Sequence, residues 1–88
     1  MAEAAVDSLT SDITAGPGGV MTDEVGVVTG ELTLRTELAA GGQVTLRVQY
    51  REAAEWYAVT GGRCALREPG DLAAVHELAT GLLDRPRG

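Results

Sequence analysis

The chain has 88 residues, with 7 basic and 13 acidic groups and a net charge of −6. That length holds one small domain and excludes multi-domain enzymes and large nucleotide-binding folds. Hydrophobic residues make up 44% of it, but 13 of them are alanine and none is Phe, so the core is modest and a partner's contacts would add to its stability.

Residues 1–22 read as a disordered acidic tail. Residues 1–24 carry Glu3, Asp7, Asp12, Asp23 and Glu24 and no base, whereas residues 25–88 carry 8 acids and 7 arginines. The run Ala15-Gly16-Pro17-Gly18-Gly19 breaks any helix, and Ala4 to Ile13 is too short for a stable one. An acidic tail on a near-neutral body argues against nucleic acid as a partner, because phosphate backbones need clustered cations. It argues against an anionic membrane surface for the same reason. No apolar stretch approaches the length of a membrane span, and the start lacks the basic and apolar regions of a signal peptide. A single cysteine, Cys64, forbids an intramolecular disulfide, so a reducing cytoplasmic location is expected.

A single small domain is expected over 23–86. Gly30 to Ala39 alternates, with Leu32, Leu34, Thr36 and Leu38 on one side and Glu31, Thr33, Arg35 and Glu37 on the other. Period 2 predicts a half-buried strand. Val25 to Thr29 is its earlier part or a short separate strand. Ala39-Ala40-Gly41-Gly42 is a turn, and Gln43 to Arg51 alternates again with Val44, Leu46, Val48 and Tyr50 on one side. Two registers keep both apolar sides together. One pairs Leu34 with Leu46; the other sets Arg35 opposite Arg47, a like-charge pair. The first is preferred. A third strand, Trp56 to Thr60, then turns at Gly61-Gly62 into a fourth, Arg63 to Arg67. That hairpin turns Tyr57, Val59, Cys64 and Leu66 inward. It places Trp56 opposite Arg67, and Ala58 opposite Ala65, on the outer side.

Glu68-Pro69-Gly70-Asp71 stops the strand, and Asp71 suits a helix N-cap. Leu72, Val75, Leu78, Ala79, Leu82 and Leu83 form an apolar stripe about 140° wide at 100° per residue, and Arg85-Pro86 ends the helix. The expected fold is α+β: a four-stranded antiparallel β-meander packed on one C-terminal α-helix, after a disordered acidic N-terminal tail.

Chemistry-bearing residues are few. Cys64 and His76 are the only thiol and imidazole; an inward small cysteine and a half-exposed histidine account for both without catalysis. No CxxC or His-x3-His spacing supplies a metal set, and Asp23-Glu24 reads as a charge pair. The glycine runs lack phosphate-binding spacing, so no cofactor is expected. The outer sheet side is the main candidate surface: Trp56, Arg67, Arg47, Arg35, Ala58 and Ala65 combine an aromatic anchor, arginines and a flat apolar floor. The resulting expectation is a small non-catalytic accessory or regulatory protein that binds a protein partner or forms a homodimer. The alternative is a ligand-binding domain or minor enzyme, with a pocket between sheet and helix near Tyr50, Tyr57, Cys64 and His76.

Overall fold

A computed structural model describes residues 5–86. Four antiparallel strands, β1 (Ala5–Thr22), β2 (Gly26–Ala39), β3 (Gln43–Tyr50) and β4 (Tyr57–Ala65), follow one another as a meander. A 3-10 turn (Pro69–Asp71) then leads into one C-terminal helix, α1 (Leu72–Leu83). The α+β class, the strand count and the terminal helix are as expected. The membership of two strands is not.

The first correction concerns the acidic segment. Its described part, 5–22, is β1, paired with β2 over most of its length; residues 1–4 of the expected tail lie outside the described residues. Leu9, Ser11, Ile13 and Ala15 alternate inward, and Ile13 and Ala15 are buried. The Gly-Pro run does not end the strand. Ala15 faces Gly30 and Val20 faces Val28, so 16–19 bulge out opposite Thr29. A bulge bends its strand sharply. Here it turns the distal end of the hairpin over, so that Val20, Thr22 and Val28 complete the core. Gly19 permits the corner: it has φ +66, and a Cβ there would clash with Val27 Cγ1.

The second correction is the register. Arg35 does face Arg47, and Leu34 faces Val48. The like-charge pair survives because Glu37 lies beside it, with Oε2 3.0 Å from Arg35 Nε and Oε1 2.9 Å from Arg47 Nε. The shift also places Ala40-Gly41-Gly42 in the loop, with Gly42 at φ +88 and its N–H donating to Ala39 O at 2.9 Å. This is the usual three-residue hairpin, a tight turn ended by a left-handed glycine.

The third correction is β4, which runs straight through Gly61-Gly62. Gln43, Val44 and Thr45 face Ala65, Cys64 and Arg63, whereas Arg47 faces Ala58, so 59–62 bulge opposite Leu46. A Cβ on Gly62 would lie 2.9 Å from Leu46 Cβ. The glycine pair lets the strand cross a leucine, where a turn was expected.

The barrel closes where Thr22 pairs with Val59. Asp23 N–H donates to Ala58 O at 3.0 Å, and the Glu24 carboxylate accepts Ala58 N–H at 2.9 and 3.2 Å. Asp23 also accepts from Thr60 Oγ1 at 2.8 Å and pairs with Arg63 at 3.2 Å. The charge pair of the sequence is thus a latch across the seam. Elsewhere, α1 rests chiefly on β1 and β2. Past its end, Asp84 Oδ1 accepts Thr14 N–H at 2.9 Å and Arg85 N–H donates to Thr14 O at 2.8 Å, which covers part of the β1 edge.

Candidate functional site

The main core is built from Ile13, Ala15, Val20, Val28, Leu32, Leu34, Val48, Val59 and Ala79. A second cluster joins Leu38, Val44 and Leu72. Three features border these clusters: the Trp56 face, the His76 site and a groove beside α1.

On the outer face the strand pairings bring Arg35, Arg47 and Ala58 side by side. Trp56, two residues before Ala58, lies with them. Its ring is covered by Arg35, whose guanidinium carbon is 5.8 Å from the ring centroid, within cation–π range. The expected stacking partner, Arg67, lies past the end of β4 and is exposed, as is Ala65. Arg35 Nε is buried and its N–H is not aimed along the 3.0 Å line to Glu37, so this contact is an ion pair without an aligned hydrogen bond. Four of the six residues therefore share a patch, but Ala58 is buried in it and the half-buried indole already has a cation on its face.

The four residues of the alternative pocket are not brought together. Tyr50 is exposed, and Tyr57 packs half-buried on the main core. Cys64 has the expected parity, facing Val44, yet it is exposed, on the wall of the groove beside α1. His76 stands on the docked face of α1. Its Nε2 is 2.7 Å from Ser11 Oγ and its Nδ1 is 2.7 Å from Thr36 Oγ1. Burial lowers its pKa below 6.5, favouring the neutral ring. A neutral imidazole offers one donor and one acceptor, and each hydroxyl can serve either role.

Ser11 and Thr36 escaped the sequence reading, although a signal was present. Both are hydroxyl residues at inward positions of alternating strands, where a buried hydroxyl needs a polar partner. Only one imidazole in the chain could supply it. The arrangement places a hydroxyl, an imidazole and a second hydroxyl in line, the order of a nucleophile, a base and an orienting group.

The groove is lined by Val44, Leu46 and Cys64 on the barrel and by Val75, Leu78 and Leu82 on α1, with a volume of about 180 Å³. Leu78 and Leu82 are 65% and 56% exposed. The apolar stripe of α1 was expected to face the sheet as a whole. It is split because His76 docks on Ser11 and Thr36 and so fixes the rotation of the helix. Leu72 and Ala79 turn inward; Leu78 and Leu82 do not. Among the described residues, no three His, Cys, Asp or Glu side chains gather as a metal site, and no helix is long and apolar enough to cross a membrane.

A four-stranded antiparallel barrel with one helix packed against β1 and β2 is the class that the geometry defines. Set against protein-family models, curated proteins and solved structures, the chain matches none.

Proposed function

We propose that this chain is a non-catalytic accessory or regulatory domain that works through protein–protein contact, as a homodimer. The observation that carries this reading is the uncovered apolar side of α1, where Leu78 and Leu82 stand exposed and continue into the groove. Exposed leucines set together on a small domain mark an interaction surface more often than an accident of packing. The Trp56 face offers a partner less, since its aromatic surface and its charges are already engaged within the chain. Sedimentation velocity over a range of roughly 5 to 500 µM tests the reading, because small interfaces give affinities in that range. A mass rising toward twice 9.1 kDa is expected. A single monomeric species throughout would remove the homodimer.

A minor hydrolase is the second reading, and the line Ser11–His76–Thr36 favours it. Turnover of an activated aryl ester that disappears in Ser11→Ala, with the fold unchanged by circular dichroism, would support it. No turnover above that of free imidazole leaves His76 as a structural residue.

A further inference from the structure

β1 and β4 meet at one pair, Thr22 with Val59. Past it, β4 runs on to Ala65 with β3 on one side and, among the described residues, no strand on the other. The ladder itself says which backbone groups face the empty side. Leu66 N–H donates to Gly42 O at 2.8 Å, in register with the pair of Cys64 and Val44. Alternate residues of an antiparallel strand turn both backbone groups to the same neighbour, so Leu66 and Cys64 point to β3. Arg63 and Ala65 point away from it, and both are exposed. No backbone group of α1 or of a loop bonds to them among the described residues. The edge of β1, by contrast, is covered at Thr14 by Asp84 and Arg85. An open edge is a template for another strand, and charge is one guard against that. Here the guard is cancelled, because Arg63, the one charge on this stretch, pairs with Asp23 at 3.2 Å. The inner side of the same edge is apolar, since Cys64 shares its groove with Leu78 and Leu82. A covering element must therefore bring backbone donors and acceptors together with an apolar side, and the chain carries one such edge itself.

We infer that β4 pairs with the β4 of a second copy, antiparallel and centred on Cys64. This inference rests on the homodimer reading above and names its strand and register. A two-fold contact presents the same patch from both sides, so the outward residues of β4 must meet one another. Centres on Arg63, Cys64 or Ala65 achieve this. Centred on Arg63, the two copies set arginine against arginine, each with a carboxylate already shared with Thr60. Centred on Ala65, Arg63 would face residue 67, past the end of β4. Centred on Cys64, Arg63 of each copy faces Ala65 of the other, and both pairs are of the hydrogen-bonded kind. The same operation sets the two Cys64 side chains, and with them the mouths of the two apolar grooves, against each other.

The test combines sedimentation with oxidation of the native thiol. Ala65→Pro removes an N–H that points away from β3, so the ladder within the chain stays intact. It should weaken the dimer at least about tenfold, with an unchanged circular dichroism spectrum. In the proposed register Cys64 faces its own copy in a non-hydrogen-bonded pair, with Cα atoms about 4.5 Å apart and within disulfide reach. Diamide should therefore link two wild-type chains at least about ten times faster than it links the Cys64→Ser/Ala65→Cys variant, whose thiols lie about 7–8 Å apart on the diagonal. The wild-type cross-link needs no change to the chain, so it decides even where Ala65→Pro fails to fold. A wild-type dimer that ignores Ala65→Pro and cross-links no faster than the control would overturn the β4 pairing while leaving the homodimer reading in place. A wild type monomeric at every concentration would overturn both, and leave the edge of β4 to a strand of another protein.

Discussion

The two faces of α1 divide its leucines between the barrel and solvent. One face docks on β1 and β2 through Leu72, Ala79 and the ring of His76, whose two nitrogens are both engaged. The other carries two leucines into solvent. Hydrophobicity alone would have rolled the helix so that all four leucines approached the barrel. The half-buried imidazole prevents this, since rolling it outward would leave the Thr36 hydroxyl, which is fully buried, without a partner. A polar group thus sets the helix rotation, and the uncovered leucines follow from it.

The largest effect that tests this contrast compares one substitution on each face. Leu72→Ala removes a buried side chain and should cost about 2–5 kcal/mol. Leu78→Ala, in the same helix, should change monomer stability by less than about 0.5 kcal/mol. Urea unfolding of both variants at micromolar concentration decides the matter, and similar losses would mean that Leu78 contributes to the monomer core. Next in size is Thr36→Val, which keeps the shape but strands His76 Nδ1. Its cost should be about 1–3 kcal/mol. A neutral result there would show that the imidazole does not depend on Thr36.

A pH series sharpens the same point. Burial lowers the pKa of His76 below its ordinary 6.5. The unfolded chain therefore takes up a proton first on acidification, and stability present above about pH 6.5 falls as pH drops through the folded value. His76→Gln should flatten that part of the profile. Asp23 acts in a separate window. Its carboxyl is held below 3.8 by the Thr60 hydroxyl and then by Arg63, so its contribution is lost only at more acid pH. A wild-type profile flat between pH 7 and 5 would show that the ring is as well solvated folded as unfolded.

These effects also mark what the residues disclose. The inward side of β2 was legible because Leu32, Leu34 and Leu38 repeat at period 2, and all three are buried. The terminal helix was legible from its stripe and its proline stops. β1 was hidden for two reasons. Ser11 interrupts its apolar alternation, and its glycine-rich corner has the composition of a linker. Both acquire meaning only from distant residues, His76 for the one and Thr29 for the other. The register was lost to a pairwise rule about Arg35 and Arg47 that Glu37 overrides, a three-body effect. Gly61-Gly62 shows a related limit, since a turn and a close approach to Leu46 require the same residues. For the candidate site, the identities of Trp56, Cys64 and His76 were visible, but their neighbours depended on these long-range pairings.

The smallest effect is the most discriminating. Gly81→Ala adds a methyl group to the exposed face of α1, where nothing in the same chain lies within 4 Å of it. In the monomer only helix propensity responds, so stability should rise by about 0.5–1 kcal/mol. At concentrations where two copies meet through this face, the methyl group adds bulk to the depression that Gly81 lines with Leu78 and Leu82, so association should weaken. The two readouts have opposite signs: a higher unfolding midpoint in dilute solution and a smaller dimer fraction in concentrated solution. A purely structural role for Gly81 would move both in one direction, and an ordinary solvent-facing position would move only the first. The split in sign therefore tests whether the uncovered face of α1 exists for contact, independently of any substitution in the docked face.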